Sequence, residues 1–177
     1  MKIYFALLFA FIFGSSNSNV LANELSAGLK FQQALHFYNE NGITLEYSSD
    51  DILDNAITFG ASYYTSRIGT AFHSNAIPQD NFLVHSTYYF LHDKPFKPMV
   101  KLNAGYCFAD YGSELFHEID NSMPLLSFEL GAAYAFDVPL KLHASIGYNL
   151  HTSDGISGVG TVYPLFAQYS VLWRFAL

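Results

Sequence analysis

Tyr163-Pro164-Leu165-Phe166-Ala167-Gln168-Tyr169-Ser170-Val171-Leu172-Trp173-Arg174-Phe175-Ala176-Leu177 decides how this chain is read. Leu165, Ala167, Tyr169, Val171, Trp173, Phe175 and Leu177 fall on one face, with Gln168, Ser170 and Arg174 on the other. Alternation at period two is the mark of a β-strand, here apolar on one side. Stretches of this kind recur along the chain at about 9–11 residues, the length needed to cross a bilayer as a tilted strand. The pattern predicts an all-β fold, an eight-stranded antiparallel up-and-down transmembrane β-barrel.

Seven earlier segments repeat the pattern. The first sets Leu25, Ala27, Leu29 and Phe31 against Ser26, Gly28, Lys30 and Gln32, and the second sets Ile43, Leu45 and Tyr47 against Thr44 and Glu46. In the third, Ile57, Phe59, Ala61 and Tyr63 oppose Thr58, Gly60, Ser62 and Tyr64. The fourth, with the weakest contrast, has Phe82, Val84, Tyr88 and Phe90 opposite Leu83, His85, Thr87 and Tyr89. Val100 to Phe108 alternates with Lys101, Asn103, Gly105 and Cys107, and Leu126 to Phe136 alternates with Ser127, Glu129, Gly131 and Ala133. The seventh places Leu142, Ala144, Ile146, Tyr148 and Leu150 away from His143, Ser145, Gly147, Asn149 and His151.

A soluble barrel would alternate in the same way, but its polar face would meet water and carry many charges. Here that face is mostly Gly, Ser, Ala, Thr and Asn, with single charges at Lys30, Glu46, Lys101, Glu129 and Arg174. Small side chains suit the narrow interior of an eight-stranded wall. Composition points the same way: 18% aromatic with 13 Tyr and 17 Phe, and 13% charged. Phe31, Tyr47, Phe90, Phe108, Phe136 and Trp173 gather toward strand ends, as interfacial aromatic belts do.

Residues 1–22 read as a secretory signal peptide: Lys2, an apolar run from Ile3 to Phe13, then Val20-Leu21-Ala22 as a small-residue cleavage site. The run is too short for a spanning helix. Asn23 follows the expected cut, so no lipid anchor is implied, and residues 23–177 form one barrel domain. A net charge of -7 argues against nucleic acid as a partner. The single cysteine, Cys107, permits no internal disulfide.

The connections Gln33–Asn41, Ser66–Asn81, Asp110–Pro124 and Thr152–Pro164 are on average longer than Ser48–Asn55, His92–Pro98 and Asp137–Leu140. Short turns on the periplasmic side put both termini there, with Pro95, Pro98 and Pro139 in those turns.

With its signal peptide, its Leu102-Asn103-Ala104-Gly105-Tyr106 and Leu130-Gly131-Ala132-Ala133-Tyr134 segments and its final strand, the chain resembles the small eight-stranded outer-membrane barrels of Gram-negative bacteria, the group of the opacity proteins and the transmembrane part of outer-membrane protein A. The resemblance implies residence in the bacterial outer membrane among its lipids and lipopolysaccharide; a monomer without a cofactor is expected. It also makes Tyr169, Val171, Trp173, Phe175 and Leu177 the C-terminal signal handled by periplasmic chaperones and the barrel-assembly machinery, with Leu177 where that group ends in an aromatic residue. It specifies architecture and not activity.

Three chemistries follow from the residues. Lys30, Lys101 and Arg174, helped by His143 and His85, can pair with Glu46 and Glu129 inside the barrel, because a buried charge without a partner costs several kcal/mol. That network makes a plugged interior; the alternative use of it is a narrow, porin-like path for small solutes. His151-Thr152-Ser153 is similar to the His-x-Ser signature of outer-membrane lipid A 3-O-deacylases, which implies Ser153 as nucleophile and His151 as its base. Asp154 replaces that signature's Asn, no Glu follows Gly155, and His151 shares the parity of the inner face. The seven histidines show no metal-ligand spacing, so no metal site is expected. Asp110, Glu114, His117, Glu118 and Asp120 make an acidic loop cluster suited to a cation or a basic partner, and Phe72, Phe108, Tyr111, Phe116 and Tyr163 a set suited to adhesion. The leading expectation is a structural or surface-interaction barrel rather than an enzyme.

Overall fold

The computed structural model describes residues 23–34, 38–49, 51, 53–68, 77–111, 121–154 and 158–177. The expected signal peptide, residues 1–22, lies outside them, as do His36, Phe72, His73, Glu114, Phe116, His117, Glu118 and Asp120.

Among the described residues ten strands follow in order: β1 (Asn23–Ala34), β2 (Asn39–Ser49), β3 (Ile57–Thr65), β4 (Gln79–Tyr89), β5 (Phe96–Ala109), β6 (Ser122–Ala135), β7 (Leu140–Asn149), β8 (Ser153–Asp154), β9 (Thr161–Val162) and β10 (Leu165–Ala176). Eight of them close a barrel in the order β1-β10-β7-β6-β5-β4-β3-β2, every neighbour antiparallel. The last strand closes on the first, with Leu25 opposite Phe175 and Phe31 opposite Tyr169. Closure leaves no unpaired sheet edge, a condition the hydrocarbon layer imposes on any spanning sheet.

Polarity is inverted. Leu102 is 62% exposed while its neighbour Lys101 is 2% exposed, and Ile146 is 67% exposed beside the buried Ser145. The wall therefore turns grease outward and hydrogen-bonding groups inward, which places the chain in the transmembrane barrel class. Even β4 keeps the expected phase, with Phe82, Val84 and Tyr88 outside and Leu83, His85 and Thr87 inside. Aromatic rings pack edge to face near strand ends, Tyr88 on Phe90 at 4.9 Å and Tyr134 on Phe136 at 4.7 Å.

Strand ends reach into the expected connections at β1, β2, β4, β5 and β6, and three differences bear on the site. Pro98 is not in a turn: it lies in β5 opposite Ala132, where its carbonyl accepts from Phe90 N–H at 2.9 Å. The ladder extends past the apolar alternation because backbone pairing does not require an apolar side chain. For the same reason β2 begins at Asn39 and β6 at Ser122, so Glu40, Asn41, Met123 and Pro124 belong to strands rather than loops. Third, the connection from Thr152 to Pro164 carries its own hairpin, Ser153 pairing with Val162 and Asp154 with Thr161.

Candidate functional site: the lumen and its loop-end mouth

Glu46 on β2 is the hub of the lumen. Its two carboxylate oxygens meet Lys101 Nζ at 3.4 Å, Lys141 Nζ at 3.1 Å, and His85 Nε2 and His143 Nδ1 at 3.6 Å each. Tyr89 donates its hydroxyl to Glu46 at 3.4 Å and stands 3.1 Å from His143 Nε2. All these groups sit at inward positions of four different strands, so one carboxylate ties β2, β4, β5 and β7 across the axis. A buried carboxylate needs such partners, since uncompensated burial of charge is costly.

Glu129 makes a second node: Asn103 Nδ2 donates to it at 2.9 Å and Ser145 Oγ at 2.6 Å, with Lys101 directly opposite in the β5–β6 ladder. Lys30 is buried with its ammonium 4.5 Å from the centre of the Tyr64 ring. Arg174 touches neither node directly and joins the Glu46 node only through Glu24, which also meets Lys141 Nζ at 3.6 Å. It lies at the short-turn end, donating to the carbonyls of Phe136 at 2.7 Å and Val138 at 2.9 Å and reaching Glu24 at 3.7 Å. Lys141, Glu24 and Glu40 complete the charged interior but were not among the expected lumen residues. Lys141 and Glu24 lie just beyond the alternating stretches, and Glu40 falls within the expected Gln33–Asn41 connection. Extending each strand by one alternate position would have found Lys141, two residues before His143.

At the opposite end the 158–163 segment folds into the barrel mouth. Val162 packs with Tyr64, Leu83, Cys107 and Leu125, four inward side chains from β3, β4, β5 and β6. Thr161 N–H donates to Gln79 Oε1 at 2.7 Å, and Gly160 N–H to Tyr111 Oη at 3.1 Å. Gly160 has φ +67, and a Cβ there would stand 2.6 Å from Gln79 Oε1, so glycine permits this close approach. Tyr163 packs edge-on against Tyr38 at 5.9 Å. Burial raises the Tyr38 phenol well above its ordinary pKa, keeping it protonated.

Ser153 is buried and donates its hydroxyl to Gly160 O at 3.0 Å, while His151 is exposed. In this arrangement Ser153 holds the hairpin, and no geometry here favours the hydrolase alternative. Of the expected adhesive set, Tyr111 and Tyr163 are engaged with the inward segment, and Phe108 lies on the outer wall 6.0 Å from Phe82. These three do not form one patch. Asp110 is paired with Arg67 at 3.0 Å, and Arg67 also holds Asp80 at 3.1 Å. The two carboxylates raise the Arg67 pKa further. Among the described residues no group of three or more His, Cys, Asp or Glu is placed to hold a metal ion.

An eight-stranded closed wall with apolar exterior and charged, hydrogen-bonded interior is the fold of small outer-membrane β-barrel proteins. Comparisons with protein-family models and with curated proteins give no match. Among solved structures the chain is similar to the N-terminal β-barrel domain of Pseudomonas aeruginosa OprF, at 14% identity over 88% of this chain and 98% of that one, with a TM-score of 0.61. Outer membrane protein H (OprH) of P. aeruginosa also scores 0.61, at 11% identity over 86% of this chain and 99% of its own. Ail, the attachment invasion locus protein of Yersinia pestis, scores 0.51 at 17% identity, over 86% and 97%.

Proposed function

We propose that this chain is a monomeric, non-enzymatic outer-membrane barrel with a lumen closed to solutes and a structural or surface-interaction role carried by its loop end. The Glu46 cluster supports the closed lumen most directly: one carboxylate, two lysines, two histidines and a tyrosine converge across the axis. The inward segment adds a second closure at the mouth. Filling by side chains is the ordinary state of a barrel this narrow.

In this reading the short connections 50–56, 90–95 and 136–139 and both barrel ends, residues 23 and 177, face the periplasm, while 35–38, 66–78, 110–121 and 150–164 face outward. Lipids and lipopolysaccharide surround the apolar belt. Periplasmic chaperones and the barrel-assembly machinery handle the final strand, with Tyr169, Val171, Trp173, Phe175 and Leu177 on its recognised face. One fold neighbour is named an attachment invasion locus protein, which gives a surface role a precedent in this fold.

Planar-bilayer recording tests the closed lumen. Insertion without stable openings is expected; reproducible single-channel steps would replace this reading with a narrow solute channel.

A further inference from the structure

The inward face of the wall changes character at its loop end. Tyr64, Leu83, Cys107 and Leu125 are buried there on β3, β4, β5 and β6, whereas one inward step nearer the Glu46 cluster the same strands carry Ser62, His85, Gly105 and Ser127. Val162 packs on the four apolar side chains, which together form its seat. The seat belongs to the wall, and the wall is complete without its occupant: Tyr64 lies opposite Asn81, Leu83 opposite Gly105 and Cys107 opposite Met123 in the β3–β4, β4–β5 and β5–β6 ladders. The β8–β9 hairpin pairs within itself and adds no strand to the barrel. Lifting the segment therefore breaks no pair of the closed sheet.

What crosses from segment to wall is small beside those ladders. Val162 buries one aliphatic side chain, Thr161 N–H donates to Gln79 Oε1 at 2.7 Å, and Asn149 Nδ2 donates to Tyr163 O at 2.8 Å. The two surfaces also fit imperfectly. A cavity of about 10 Å³ lies between them, with Thr161, Val162 and Tyr163 on one side and Tyr64, Gln79 and Leu125 among those on the other. Atoms bordering a gap forgo dispersion contacts. Local opening costs what the opened part buries and bonds, so a segment held in this way opens far more readily than the sheet unfolds.

We propose that residues 158–163 are a displaceable plug, which leaves its seat while the barrel stays folded and uncovers a pocket at the loop end walled by Tyr64, Leu83, Cys107 and Leu125. The Glu46 cluster stays in place beneath it. An open mouth is then a pocket and not a channel, so bilayer recording and the test below can fail independently.

Cys107 reports the displacement. It is the single cysteine of the chain, it is 0% exposed, and a Cβ at Gly160 would stand 3.2 Å from its Sγ. The barrel refolded in detergent micelles is treated with a charged methanethiosulfonate, and labelling is followed by intact mass. The wild-type thiol should label in native buffer at a rate that rises only weakly with denaturant. Val162→Ser weakens the seat without touching the wall and should label about tenfold faster, the worth of a buried aliphatic side chain, with the unfolding midpoint of the barrel unchanged. Tyr111→Phe removes the hydroxyl that accepts Gly160 N–H at 3.1 Å and should label about threefold faster. Labelling confined to the steep denaturant dependence of global unfolding, or a wild-type rate in both variants, would overturn the plug.

Discussion

Glu46 shows how much one inward side chain can carry. With Lys101, Lys141, His85 and His143 gathered on it, Glu46→Gln removes the shared anion and leaves two buried ammonium groups facing each other. Loss of about 3–5 kcal/mol is expected, the cost of breaking a buried ion pair from one side. Denaturant unfolding of the barrel in micelles would register it as a lower midpoint. Arg174→Ala works through backbone instead, freeing the carbonyls of Phe136 and Val138 at the β6–β7 turn. Its side chain is partly exposed, so a smaller loss, about 1–2 kcal/mol, is expected in the same assay. The inward positions of Lys30, Glu46, Lys101, Glu129 and His143 were legible in the sequence because alternation fixes which way a side chain points. Their partners were not. Which charge meets Glu46 depends on how eight tilted strands stagger, and Lys141 lies 95 positions from Glu46.

Among the elements, the β8–β9 hairpin is the one that alternation did not reveal. Two-residue strands within a Gly- and Ser-containing stretch offer no period to read, and the hairpin is held by contacts to Gln79, Tyr111 and the Val162 pocket, all distant in sequence. Gly160→Val tests it. A branched side chain at φ +67 is strained and would press on Gln79 Oε1 and Cys107 Sγ, lifting the segment out of the mouth. Hydrogen exchange at the Thr161 amide should accelerate more than about tenfold while the amides of β5 and β6 keep their protection. Unchanged exchange at Thr161 would mean that the segment stays seated without this close approach. Longer strands were read well in phase and poorly in extent: β2, β5 and β6 run into Glu40, Pro98 and Met123 because hydrogen-bonded pairing continues where apolar contrast fades.

For the whole molecule, inverted polarity is the property from which the rest follows. Leu102 is 62% exposed within β5, so Leu102→Arg should cost about 2–4 kcal/mol in a bilayer, the midplane cost of a lipid-facing cation. Refolding yield and denaturant midpoint in lipid vesicles measure this. In a water-soluble barrel the same change would be close to neutral, which makes the result decisive for the environment of the wall. A closed hydrogen-bonded wall also predicts heat-modifiable gel migration: a compact species in detergent that converts to a slower one only on boiling.

By itself the sequence determined the number of barrel strands, their antiparallel up-and-down order and which face of each meets lipid, because period two is a local consequence of side-chain order. Tertiary structure alone decided that four basic groups share one carboxylate, that Arg174 secures a turn rather than the lumen, and that a loop segment returns to fill the mouth. Those contacts join residues brought together by strand stagger and barrel curvature, which no local pattern encodes.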